Sequence, residues 1–133
     1  MSAVPVIRSL LAGNAILTTA VPAARVFIGA VPLEVALPAI GITTVSGIPQ
    51  NTLGMHEPQR LVRERIQVTV YAATYPSLDA VMDLVHRALP NTRGLIADLN
   101  VQSIVPSTVG PDLEIPKPQI FIRSRDYHVT YLQ

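Results

Sequence analysis

Residues 63–89, RERIQVTVYAATYPSLDAVMDLVHRAL, change hydrophobic period within a few positions, and that change constrains the fold more than anything else in the chain. Ile66, Val68, Val70 and Ala72 alternate with Arg65, Gln67, Thr69 and Tyr71. A period of two predicts a strand with one covered face and one polar or partner-facing one. From Thr74 onward the period becomes helical, and Leu78, Val81, Met82, Val85 and Leu89 form a single apolar stripe. Pro76 suits the first helical turn. Asp79 and Asp83 come early and His86 and Arg87 late, the order the helix dipole favours. A strand running straight into such a helix predicts a sheet with the helix laid on its apolar face.

The flanking segments fill out the sheet. VPVIRSLLAGN near the N-terminus predicts a short helix with Ser2 as its cap, a stripe of Val6, Leu10 and Leu11, and Gly13-Asn14 as its end. ARVFIGAV (24–31) and LPAIGITTVSG (37–47) read as strands, with Pro38 tolerated at a strand start or edge. SGIPQNTLGMHEPQR then predicts a loop over 47–60, a length that in compact domains marks function or mobility. Four prolines at 106, 111, 116 and 118 predict an edge strand followed by an extended arm over 105–119. QIFIRSRDYHVTYL closes the chain as a long strand with an irregularity near residues 124–126. The sum is an α+β fold, a mostly antiparallel sheet of about four to five strands with helices packed on one face. It forms one domain over residues 1–133.

Composition narrows what such a domain can do. Hydrophobic residues make up 49% of the chain and charged ones only 14%, against about 25% charged in ordinary domains. Apolar surface must therefore be hidden, and a partner subunit is the natural cover. A membrane is the rival, but Pro22, Pro32 and Pro38 break the weakly charged stretch 15–48 into pieces far shorter than the roughly 20 residues of a bilayer helix. The first residues lack the basic-then-apolar order of a secretory signal. Absence of cysteine excludes thiol catalysis and Cys-ligated zinc. Ten basic against nine acidic residues argue against non-specific nucleic-acid binding.

No reaction centre is legible. The three histidines, His56, His86 and His128, have no second ligand at metal-binding spacing. Asp126 and His128 share a strand face and could form a metal or acid/base pair, though a solvated pair beside Arg125 is the plainer reading. The GxSxG elbow, GxGxxG and P-loop are all missing. Catalytic, cofactor and metal residues are accordingly expected to be none. What remains is a set of arginines, Arg60, Arg63 and Arg65 near the long loop and Arg123 and Arg125 in the last strand. They are solvated surface groups, ion-pairing groups at a subunit interface, or, third, nucleic-acid contacts.

Taken in order, RVF, LPAIGITTVSG, the long loop, RIQVTVYAATYPSLDAVMDLVHRAL, the Pro-interrupted segment and RSRDYHVTY resemble the small tail-completion, or tail-terminator, proteins of long-tailed bacteriophages and phage-like gene-transfer particles. The likeness is carried by residues 38–47, 65–72, 74–89 and 123–131. The chain departs from that pattern in its Pro-punctuated stretches 21–37 and 107–118. The resemblance implies a structural virion protein of the tail-neck region, assembled in the host cytoplasm. Such proteins form a ring, commonly hexameric, on the head-proximal end of the tail tube. The ring ends tube polymerisation and offers a surface to the head completion protein, with DNA passing through its lumen and no membrane or cofactor involved. The alternative is a head-tail connector one ring higher, and after it a small ligand-binding domain or enzyme. Interface residues expected from loop length and charge are Asn51, Leu53, Met55, His56, Arg60, Arg63, Arg65, Lys117, Arg123 and Arg125.

Overall fold

The structure, a computed structural model, describes residues 2–32, 34–49, 61–116 and 119–132. Helices α1 (Val4–Ala12) and α2 (Ala15–Ala20) open the chain, followed by strands β1 (Val26–Ile28), β2 (Ala39–Pro49) and β3 (Leu61–Ala72). Helix α3 (Tyr75–Ala88) leads into β4 (Gly94–Ile96), β5 (Leu99–Val109), β6 (Leu113–Pro116) and β7 (Gln119–Leu132). The strands form one seven-stranded sheet of order β1-β2-β3-β7-β5-β4, with β6 pairing to the start of β7. Every pairing is antiparallel except β1 with β2.

The α+β class and the antiparallel character agree with the sequence reading, whereas the sheet is larger than the four to five strands expected. The difference comes from β4 and β6, of three and four residues, too brief to leave a periodic signal, whereas β1 falls within the strand expected over 24–31. The loop expected from 47 begins later, because Gly47, Ile48 and Pro49 pair with Glu64, Arg63 and Val62. Residues 50–60, the rest of that loop, lie outside the described residues, as do 117 and 118. The Pro-rich stretch expected as an arm is mostly strand. Its prolines stand where a ladder N–H is dispensable: Pro106 at a register shift in β5, Pro111 in the turn, and Pro116 at the end of β6. The irregularity expected in residues 124–126 belongs to β5, since β7 pairs with β3 without a break.

All three helices serve the inner face of the sheet. Strand β3 is buried at Val62, Glu64, Ile66, Val68, Val70 and Ala72, and its other positions are half-buried or exposed. The helical stripe Leu78, Val81, Met82, Val85 and Leu89 is buried against it, with Ile7, Leu11, Leu17, Tyr127 and Val129 in the same core. Thr74 caps α3 by accepting from the Ser77 N–H, and Pro76 sits in its first turn. Asn14, read from the sequence as a helix end, instead caps α2 by accepting the Leu17 N–H.

Glu64 is the conspicuous exception in this core, a carboxylate 4% exposed. It accepts from Ser2 Oγ at 2.9 Å, the Ala3 N–H at 3.0 Å, Thr44 Oγ1 at 2.8 Å and Tyr131 Oη at 3.0 Å. Ser2 Oγ in turn accepts the Val4 N–H. The carboxylate thereby ties the N-terminus of α1 to three strands. Burial and then the bond to Glu64 push the Tyr131 hydroxyl up to about 12.

Candidate functional site

Among the described residues no helix covers the outer face of the sheet, and the strand registers arrange its side chains in rows. At one end lie Ile48, Arg63, Thr130 and Ser103, and next Ser46, Arg65, His128 and Val105. Thr43, Gln67 and Asp126 follow, then Thr69 and Ser124, whose hydroxyls hydrogen-bond at 3.2 Å. At the far end are Tyr71, Ile122 and Leu113. The face grades from cationic to polar to apolar along the strands.

At the cationic end, Arg65 donates from Nε to Asp126 at 2.7 Å, and its Nη2 pairs with the same carboxylate. Among the described residues Arg63 has no ion-pair or hydrogen-bond partner, and it is exposed. His128 lies between the two arginines and is held below its usual range, first by burial and then by the charges of Arg63 and Arg65, with Asp126 opposing. The imidazole thus reports a positive local field. Leu61, Arg63, Ser103, Val105, His128 and Thr130 line a cleft of about 340 Å³ here. At the apolar end, Val31, Val35, Leu37, Tyr71, Ile115 and Ile120 line a groove of about 280 Å³. Gly41 lets residues 29–31 lie against the sheet at this point, since a Cβ there would stand 3.0 Å from Val31 Cγ2 and 3.2 Å from the Gly29 carbonyl.

The arginines that the sequence grouped are divided by the sheet. Arg63 and Arg65 lie on the outer face, whereas Arg123 and Arg125 lie on the inner face beside α3. Arg123 is bound internally: Nε and Nη2 reach Asp112 at 2.7 and 3.1 Å, Nη1 reaches Asp79 at 2.7 Å, and Nη2 reaches Tyr75 Oη at 3.0 Å. The guanidinium also stands 5.5 Å from the Tyr75 ring centroid. Hydrogen bonds from Arg123 and then Tyr75 hold the Asp112 carboxyl down at about 2. This cluster clasps the β5–β6 turn to α3, so Arg123 is occupied in holding the fold. Asp126 and His128 form no acid/base pair, because the Asp126 carboxylate is taken by Arg65. Asn51, Leu53, Met55, His56, Arg60 and Lys117 lie outside the described residues.

Sequence reasoning missed the clasp partners Tyr75, Asp79 and Asp112 and the buried Glu64. Glu64 did leave a signal, an acid at an inward position of an otherwise apolar alternation. Among the described residues no group of three or more His, Asp or Glu is placed to hold a metal ion. Nor is any helix among them long and apolar enough to cross a membrane.

The family model for Tail completion protein gp17 matches residues 5–108. The chain belongs to that family. It is a structural protein of the phage tail, a virion component. The matched segment runs from α1 through most of β5, and so includes Arg63, Arg65 and the whole of α3. A chain in the solved structure titled "Virion of native gene transfer agent (GTA) particle" is similar in fold, with a TM-score of 0.71. The likeness covers 96% of this chain and 92% of that one at 12% identity. No curated protein matches by sequence.

Proposed function

We infer that this tail completion protein acts as a single-domain ring subunit that caps the head-proximal end of the tail tube. The ring, a hexamer by family resemblance, ends tube polymerisation and presents its other side to the head completion protein. DNA passes through its lumen. The observation supporting the reading is the outer face of the sheet, which no helix among the described residues covers and which offers an arginine without a partner among them at one end and an apolar groove at the other, in a chain of only 14% charged residues. A subunit in a closed ring has two different lateral surfaces and two axial ones, enough to cover such a face. The action is complementarity of surface, with no bond made or broken, no cofactor and no membrane. It takes place in the host cytoplasm and ends in the neck of the virion. Arg63 and Arg65, together with the loop residues Asn51, Leu53, Met55, His56 and Arg60, are assigned to contacts with a neighbour or the tube, and Lys117 and Arg125 to the remaining contacts, Arg123 being held in the clasp.

The test is to add the purified chain to polymerising tail tubes and image them by negative stain. Extra density at one tube end, with growth arrested, is the expected result. Tubes that elongate unaffected, with the chain binding DNA-filled heads instead, would move the assignment to a connector one ring higher.

A further inference from the structure

The β4–β5 turn carries the chemistry that the cationic cleft lacks. Leu95 is 77% exposed, the most exposed large apolar side chain among the described residues. Three positions on, Asp98 is exposed and, among the described residues, without an ion-pair or hydrogen-bond partner. The two residues between β4 and β5 have φ of 49° at Ala97 and 64° at Asp98, the positive values that a two-residue hairpin turn requires. Aspartate enters that region readily and alanine less so. The cleft on the outer face is its chemical counterpart, with an unpaired Arg63 flanked by Leu61 and Val105.

We propose that the outer-face cleft of one copy receives the β4–β5 turn of the next, Asp98 pairing with Arg63 and Leu95 seating against Leu61 and Val105. The occupant is therefore a second copy of this chain. Charge complementarity favours it, since Arg63 and Asp98, both exposed and without a partner among the described residues, each sit beside an exposed apolar side chain, Val105 and Leu95. Height along the strands favours it too. Asn100, just after the turn, is level with Leu132, and Arg63 is level with Thr130, so both patches lie at the same end of the sheet. A ring joins patches of equal height along its axis.

The proposal rests on the ring reading, and its test separates the two. The chain has no cysteine, so a variant carrying both Arg63→Cys and Asp98→Cys has only those two thiols to join, and mapping the linked peptides separates the 63–98 seam from 63–63 and 98–98 pairs. Under oxidation at high protein concentration it should give a ladder of multimers closing at the ring size, absent from either single variant. Light scattering on the full-length wild type, Arg63→Glu, Asp98→Arg and the pair together supplies the second readout. Each single charge reversal should weaken self-association about tenfold or more, and the double reversal should restore it. Unchanged circular dichroism and melting keep misfolding out of the comparison. Rings from all variants without a cysteine ladder would overturn the seam and leave the ring reading standing. A ladder that stops at the dimer would overturn the head-to-tail contact. A wild type that stays monomeric with tubes present, and a cysteine pair that does not cross-link, would remove both.

Discussion

Glu64 and Asp126 are the two buried carboxylates among the described residues, one on each face of the sheet. Glu64 accepts four hydrogen bonds, so truncation leaves several buried donors unsatisfied at once. Glu64→Ala should lower stability by about 3–5 kcal/mol in urea unfolding. Glu64→Gln keeps the shape but turns an amide N–H toward a donor, and should cost about half as much. A loss below about 0.5 kcal/mol in either case would mean that α1 is anchored by packing alone. Asp112 makes a prediction in pH. Its folded-state pKa, about 2, lies below the ordinary 3.8, so its contribution is complete above the ordinary value and is lost as pH falls through the window between them. His128, depressed from 6.5, acts in the same direction: the unfolded chain takes up its proton first, so acid favours unfolding there too. Chemical-shift titration of α3 and the β5–β6 turn should show the clasp opening between pH 4 and 2, about the two values for Asp112. Asp112→Asn should abolish that step.

At the scale of elements, the helices owe their positions to capping and to one buried stripe. Thr74→Ala removes the acceptor for the Ser77 N–H and should cost about 1 kcal/mol. Leu78→Ala opens a cavity beneath α3 and should cost roughly 3 kcal/mol in the same assay. The β4–β5 turn has the opposite sign. Glycine accepts the φ of 49° that strains Ala97, so Ala97→Gly should raise the melting free energy by about 0.5–1 kcal/mol. A stabilised variant that also associates more weakly would tie the strained turn to the seam between copies.

Across the whole molecule, β3 and β7 are the inner pair of the sheet, each with neighbours on both sides. Their amides should exchange slowest, at the free energy of global unfolding, while those of β1, β4 and β6 exchange through local opening. Stability and assembly then separate by face. Substitutions in the buried core of the inner face should change unfolding and leave the assembled state of the survivors alone. Arg63→Glu, exposed and unpaired, should change stability by less than about 0.5 kcal/mol. Its effect should appear in self-association and tube capping instead.

The alternation of residues 65–72 and the stripe of 78–89 are local patterns. They determined a strand, a helix, the face on which the two meet, and so the α+β class, because side-chain period follows directly from backbone geometry. The resemblance to tail-completion proteins rested on the same residues. Tertiary structure alone decided the rest. Strands as short as β4 and β6 exist only because a neighbour supplies their ladder, so no periodicity announced them. The side on which an arginine lies depends on strand register, which places Arg63 and Arg123 on opposite faces although composition makes them alike. The partners of Arg123 come from α3 and from the β5–β6 turn, 44 and 11 residues away, and those of Glu64 from as far as 67 residues along the chain. No local pattern records such separations. They are set when the sheet closes and each buried charge must find its hydrogen bonds.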